Sequence, residues 1–128
     1  MIRYWTKFNG RANDSRVGKM RVTINNRNVI MMNRQAYEAL GDPTAVELMF
    51  DQMFNRIGIK AIRRDAPNAF LIKTQLKGTY RRINAAPFCH HFDLKFDKTR
   101  LFVSPRIQPD GVLELDLAET VMIGRGAR

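Results

Sequence analysis

"RVTINNRNVIMMNRQAYEALG", residues 21–41, sets out a strand, a reversal, a second strand and a short helix with no residue to spare. Val22 and Ile24 alternate with Arg21 and Thr23, the period of two that marks a half-buried strand. The run "NNRN", residues 25–28, supplies Asn side chains that tolerate positive φ and bond their own backbone, so the chain reverses there. "VIMM" then resumes an extended apolar run. Asn33 suits a helix N-cap, and Ala36, Tyr37 and Leu40 share one helical face. Gly41 followed by "DP" is a stop signal.

Beyond Gly41, "AVELMF" places Val46, Leu48 and Phe50 on one side, and "DQMFN" reads as a turn. "RIGIKAI" alternates Ile57, Ile59 and Ala61, which completes a hairpin. Residues 21–62 are therefore predicted as β-β-α-β-β. After the polar connector "RRDAPN" the order recurs over residues 69–118. "AFLIKTQL" is a strand, "KG" a turn and "TYRRIN" a strand. "APFCHHFDL" opens a helix with Pro87 where proline is tolerated, and puts Phe88 and Phe92 four apart on one face. "RLFVSPRI" and "VLELDL" flank the turn "QPDG". The halves share pattern and spacing rather than letters. The expected fold is mainly β with two short helices, a small barrel built from two β-β-α-β-β halves.

At 128 residues, 45% hydrophobic and 27% charged, the chain has the size and composition of one globular domain. It holds no apolar run of the ~18 residues that cross a bilayer, and "MIRYWTKF" has no apolar signal-peptide core, so a cytoplasmic location is expected. Cys89 is the only cysteine and has no internal disulfide partner. The net charge of +10 is unevenly spread. Residues 1–34 carry eight basic side chains against one acid, Asp14, while the rest of the chain is near balance. Concentrated positive charge points to a polyanionic partner, because Lys and Arg that meet phosphates release condensed counterions. Residues 1–20 read as a basic N-terminal arm, and residues 119–128 as a mobile C-terminal tail.

Residues 21–62 resemble the AbrB/SpoVT swapped-hairpin family of bacterial DNA-binding domains, in which a strand, a basic turn, a strand, a short helix ending in "L-G" and a hairpin follow one another. Ile24, the 25–28 turn with Arg27, Ile30, Arg34, Glu38, Leu40 and Gly41 keep that register. Asn28, Val29, Asn33 and Tyr37 replace the family's turn glycine, arginine, proline and helical arginine. Two chains of that family interleave their units in one barrel. The resemblance implies that the two halves here form such a barrel within one chain, of swapped-hairpin or related double-psi type, and that the protein binds DNA.

"PFCHHF" is the segment closest to a metal or nucleophile site. Cys89, His90 and His91 are consecutive and point about 100° apart on a helix, whereas helical ligand pairs want i, i+3 or i, i+4 spacing. No metal, cofactor or catalytic role is expected there. Glu47, Asp51, Glu114 and Asp116 are expected on solvent faces of strands or in their turns. The nucleic-acid-binding set is Arg16, Lys19, Arg21, Arg27 and Arg34 with Arg81 and Arg82 of the second half. The Arg27 turn and "LKGTYRR" are expected to approach one another and form one basic surface. The function this supports is non-enzymatic DNA binding, as a transcriptional regulator or nucleoid-type protein, with RNA and a homodimer or larger assembly left open. The alternative is an assembly subunit that holds an acidic protein partner or RNA.

Overall fold

The computed structural model describes residues 19–75 and 77–123. Its elements run β1 (Val22–Ile24), β2 (Val29–Asn33), α1 (Arg34–Ala39), β3 (Ala45–Asp51), β4 (Arg56–Ala61), β5 (Phe70–Leu71), β6 (Lys73–Gln75), β7 (Tyr80–Asn84), α2 (Ala86–His91), β8 (Thr99–Phe102), β9 (Arg106–Ile107), β10 (Leu113–Asp116) and β11 (Thr120–Ile123). The protein is mainly β with two short helices. The strands make two antiparallel sheets, one ordered β11-β8-β1-β2-β7-β6 and the other β5-β3-β4-β10-β9. Both halves of the chain enter both sheets.

The opening stretch folds as its residues dictate. Asn25 Oδ1 accepts from the backbone N–H groups of Arg27 (2.9 Å) and Val29 (3.0 Å), and Asn28 sits at φ 63°, a conformation Asn tolerates. Asn33 caps α1 by accepting from the Ala36 N–H at 3.1 Å, and Gly41 takes φ 91° just past the helix end.

Two expected strands are broken. In "AFLIKTQL", β5 pairs with β3 in one sheet and β6 pairs with β7 in the other. The switch falls at Ile72, whose N–H donates to Thr44 O at 3.0 Å. In "RLFVSPRI", β8 pairs with β1 and β9 with β10. Pro105, between them, has no N–H to continue a ladder. At these two corners the chain passes from one sheet to the other, as strands do where packed sheets meet at an angle. The ladders therefore remain two sheets, and the closed barrel expected from the sequence is not formed. A second correction concerns the tail. Residues 120–123 are a strand, β11, paired with β8 from Thr120↔Phe102 to Ile123↔Thr99.

The inner strands of the two sheets hold the centre. Ile30 faces Ile83 across β2 and β7, and Ile57 and Ile59 of β4 face Leu115 and Leu113 of β10. All six are fully buried. Burying such a side chain is worth about 1.5–3 kcal/mol. Val22, Ile24 and Met32 join them, as do Ala36 and Leu40 of α1 and Phe88 and Cys89 of α2, in one core cluster. Phe50, Phe88 and Phe92 extend it with ring centroids 5.1–6.4 Å apart.

Candidate nucleic-acid interface

Charge divides between the two sheets. The strands of the five-stranded sheet carry four acids, Glu47, Asp51, Glu114 and Asp116, and three bases, Arg56, Lys60 and Arg106. Every one of those bases lies directly opposite an acid: Lys60 faces Glu47, Arg56 faces Asp51 and Asp116, and Arg106 faces Glu114. Arg56 also bridges to Glu114 at 3.4 Å. Cross-strand pairs of opposite charge stabilise a sheet and leave little net field outside it. These acids have further partners: Asp51 and Asp116 accept from backbone N–H groups of their own turns, Glu47 accepts from Asn68 and Glu114 from Gln108.

The six-stranded sheet is different. Among the described residues its strands carry Lys73, Arg81, Arg82 and Arg100 and no acid. Arg82 stands opposite Met31 on one side and Lys73 on the other, so two like charges face each other across β6 and β7. That arrangement is destabilising in an isolated sheet. Thr23, Met31 and Leu101 share this outer face with Arg82 and Lys73, because their neighbours Ile24, Ile30 and Ile83 point into the core. The Arg82 guanidinium is held by two neutral acceptors, Gln75 Oε1 at 3.1 Å and Asn84 Oδ1 at 2.9 Å. These bonds fix its orientation without cancelling its charge. Its Nε is buried with no partner among the described residues.

Lys19, Arg21 and Arg34 form a second basic group, gathered by one side chain. Asn33, besides capping α1, accepts from the Arg21 N–H at 3.0 Å and donates from Nδ2 to Lys19 O at 3.1 Å. Arg34 is the first residue of α1. Arg81 lies at the same end of the β2–β7 pair, opposite Met32, with its guanidinium 4.6 Å from the Tyr37 ring centre. Arg27 is at the other end. Its turn adjoins α2, since Ala85 N–H donates to Asn28 O at 2.8 Å. The Arg27 turn and the 77–79 turn lie beyond opposite ends of the β2–β7 ladder, which itself spans roughly 13 Å at ~3.3 Å per residue. The expected approach of Arg27 to "LKGTYRR" does not occur. Arg82 lies between the two groups, so the basic residues form a line along β2 and β7 rather than a cluster. Arg16 lies outside the described residues. Lys73 and Arg100 were not among the residues singled out from the sequence.

Cys89 is fully buried, and burial pushes its thiol up to about 11 from the ordinary 9.0. A thiol so held is protonated at neutral pH and is a poor nucleophile or metal ligand. His90 and His91 are exposed, and no group of three or more His, Cys, Asp or Glu converges among the described residues. A cavity of about 630 Å³ adjoins this helix, lined by Phe70, Leu71, Pro87, Phe88 and Phe92 with Lys73 and His91 among its polar residues. No helix among the described residues is long and apolar enough to cross a membrane.

No family model, curated protein or solved structure matches the chain.

Proposed function

We propose that the protein binds nucleic acid, DNA in the first place, by laying the outer face of its six-stranded sheet along the phosphate backbone. The observation that carries this reading is the pairing of Lys73 with Arg82 in a sheet whose strands have no acid, beside a sheet in which every strand base faces one. A polyanion relieves that repulsion, and its absence leaves the repulsion in place. Arg27 at one end, Arg82 in the middle and Lys19, Arg21 and Arg34 at the other end supply spaced cations suited to successive phosphates. The resemblance of residues 21–62 to the AbrB/SpoVT unit supports the same reading, as does the order of the inner strands, where the second strand of each hairpin meets its counterpart from the other half. On this reading the protein is a cytoplasmic bacterial regulator or nucleoid-type protein, its role is binding rather than catalysis, and the two halves are diverged copies of one unit.

Titration of duplex DNA and matching RNA with the protein at several salt concentrations tests this. Affinity for duplex that falls steeply with salt is expected; no binding to either polymer at low salt would remove the reading.

A second reading, an assembly subunit, has one observation in its favour. Met53 and Phe54, in the turn between β3 and β4 of the five-stranded sheet, are 83% and 57% exposed. Filaments or a co-purifying partner lost on replacing both by Ser would support it.

A further inference from the structure

We propose that a second site, which shares Lys73 with the sheet face, takes a phosphate monoester. Where the chain switches sheets at Ile72, a cavity of about 320 Å³ opens beside the β6 edge. Arg64, Lys73 and Arg81 line it together with Thr44, Thr74 and Tyr37, and no acid does among the described residues. The three cations come from three parts of the chain: the connector after β4, the first residue of β6 and the second residue of β7. Among the described residues Arg64 and Lys73 have no ion pair or side-chain hydrogen bond, although Arg63, next to Arg64, is paired with Asp65 at 3.0 Å. Arg81 spends one nitrogen on Gly78 O at 2.8 Å and lies over the Tyr37 ring, which fixes the guanidinium at the cavity wall.

The charge count selects the ligand. A phosphodiester carries one negative charge, and a polymer spreads those charges along a line, which suits the spaced cations of the outer sheet face. A monoester is close to a dianion at neutral pH and has three terminal oxygens on one phosphorus. The Tyr37 hydroxyl is already given to Pro43 O at 2.6 Å, which leaves three cations and the hydroxyls of Thr44 and Thr74 around one small cavity to match that concentrated charge and oxygen count. The cavity is too small for a large ligand to enter whole, so it takes the phosphate while the rest of the molecule lies outside. The monoester has two sources, a small phosphorylated metabolite or the 5′-phosphate end of a polynucleotide. The site does not depend on the sheet face binding DNA.

The test is titration of the full chain with inorganic phosphate, a nucleoside 5′-monophosphate, and one short oligonucleotide with and without a 5′-phosphate, followed by calorimetry and amide NMR. Three proteins are compared: the native chain, R64A, and K60A, which removes one cation from the other sheet. Lys73 is left in place because it also belongs to the sheet face. Arg64 is exposed and has no ion pair among the described residues, so the cavity variant is expected to stay folded, which the NMR spectrum verifies. Saturable phosphate binding that shifts amides near residues 44 and 72–74, and weakens about tenfold in R64A but not in K60A, is the expected result. A 5′-phosphorylated oligonucleotide that binds better than both its hydroxyl form and the mononucleotide identifies the polymer end as the source. Equal binding of the mononucleotide identifies the small ester. Absence of saturable binding, or equal weakening in both variants, overturns the site. Binding of the unphosphorylated oligonucleotide reports on the sheet face separately.

Discussion

Replacing Lys73 by Glu is expected to make the protein more stable and a weaker binder of nucleic acid. Lys73 and Arg82 face each other across β6 and β7, and no acid of that sheet's strands offsets them. Directly opposed charges on neighbouring strands contribute roughly 0.2–1 kcal/mol, unfavourable when alike and favourable when opposite. Exchange of Lys for Glu removes the first and gains the second. Lys73 is exposed, so solvent and a Debye length of about 8 Å at physiological salt reduce the sum to roughly 0.5 kcal/mol. In a domain of this size that raises Tm by roughly 2–3 °C, and more at low salt. The assay is thermal and urea unfolding at low and high salt, with duplex binding measured on the same samples. The variant is expected to gain stability at low salt, lose most of that gain at high salt, and bind duplex less tightly. A destabilised K73E, or one that keeps full affinity, would refute the claim that this pair is held apart for an anion.

Other outcomes are fixed by single groups. Asn33→Ala removes the α1 cap and the bonds to Arg21 and Lys19, and is expected to cost about 2 kcal/mol in urea unfolding, whereas Asn33→Asp keeps both accepting bonds and costs under about 0.5 kcal/mol. Ile83→Ala, fully buried opposite Ile30 in the β2–β7 pair, is expected to cost roughly 2–5 kcal/mol with an unchanged m value. Cys89 is expected to resist alkylation in the native protein and to react freely in denaturant. Its raised value also sets the sign of a pH effect. The unfolded thiol ionises near 9.0 while the native thiol holds its proton to about 11, so stability is expected to fall as pH rises through that window, by on the order of 2–3 kcal/mol, and Cys89→Ala flattens the fall.

Much of the local structure was legible because it rests on neighbouring residues. The Asn25–Asn28 reversal, the Asn33 cap, the Gly41 stop and the Phe88–Phe92 pair each depend on side chains within a few positions, and all are present as expected. The breaks at Ile72 and before Arg106 were not legible. An apolar run reads the same whether it stays in one sheet or crosses to another, and the crossing is set by which distant strand offers its edge. The strand at residues 120–123 was hidden for the same reason. "TVMI" alternates weakly and leaves Val121 and Met122 about half exposed, so only its pairing with β8 defines it. For the site, the net charge and most of the basic residues could be named, but their sorting could not. "KTQ", "YRRIN" and "TRLF" are free of acids while "AVELMFD" and "LELD" are not, yet the contrast acquires meaning only once the topology puts the first three in one sheet. Lys73 was overlooked because its partner Arg82 is nine residues away across a turn.

The most direct measurement is the salt dependence of duplex binding for two double variants, each lacking two positive charges. R27A/R82Q removes cations from the line along β2 and β7, and K60A/R106A removes cations that face acids in the other sheet. The predicted result is that the slope of log affinity against log salt becomes shallower by roughly 2 for R27A/R82Q, at about 0.9 per lost phosphate contact, and is unchanged for K60A/R106A. An equal change in both variants, or none in R27A/R82Q, would contradict the assignment of the six-stranded sheet as the binding face.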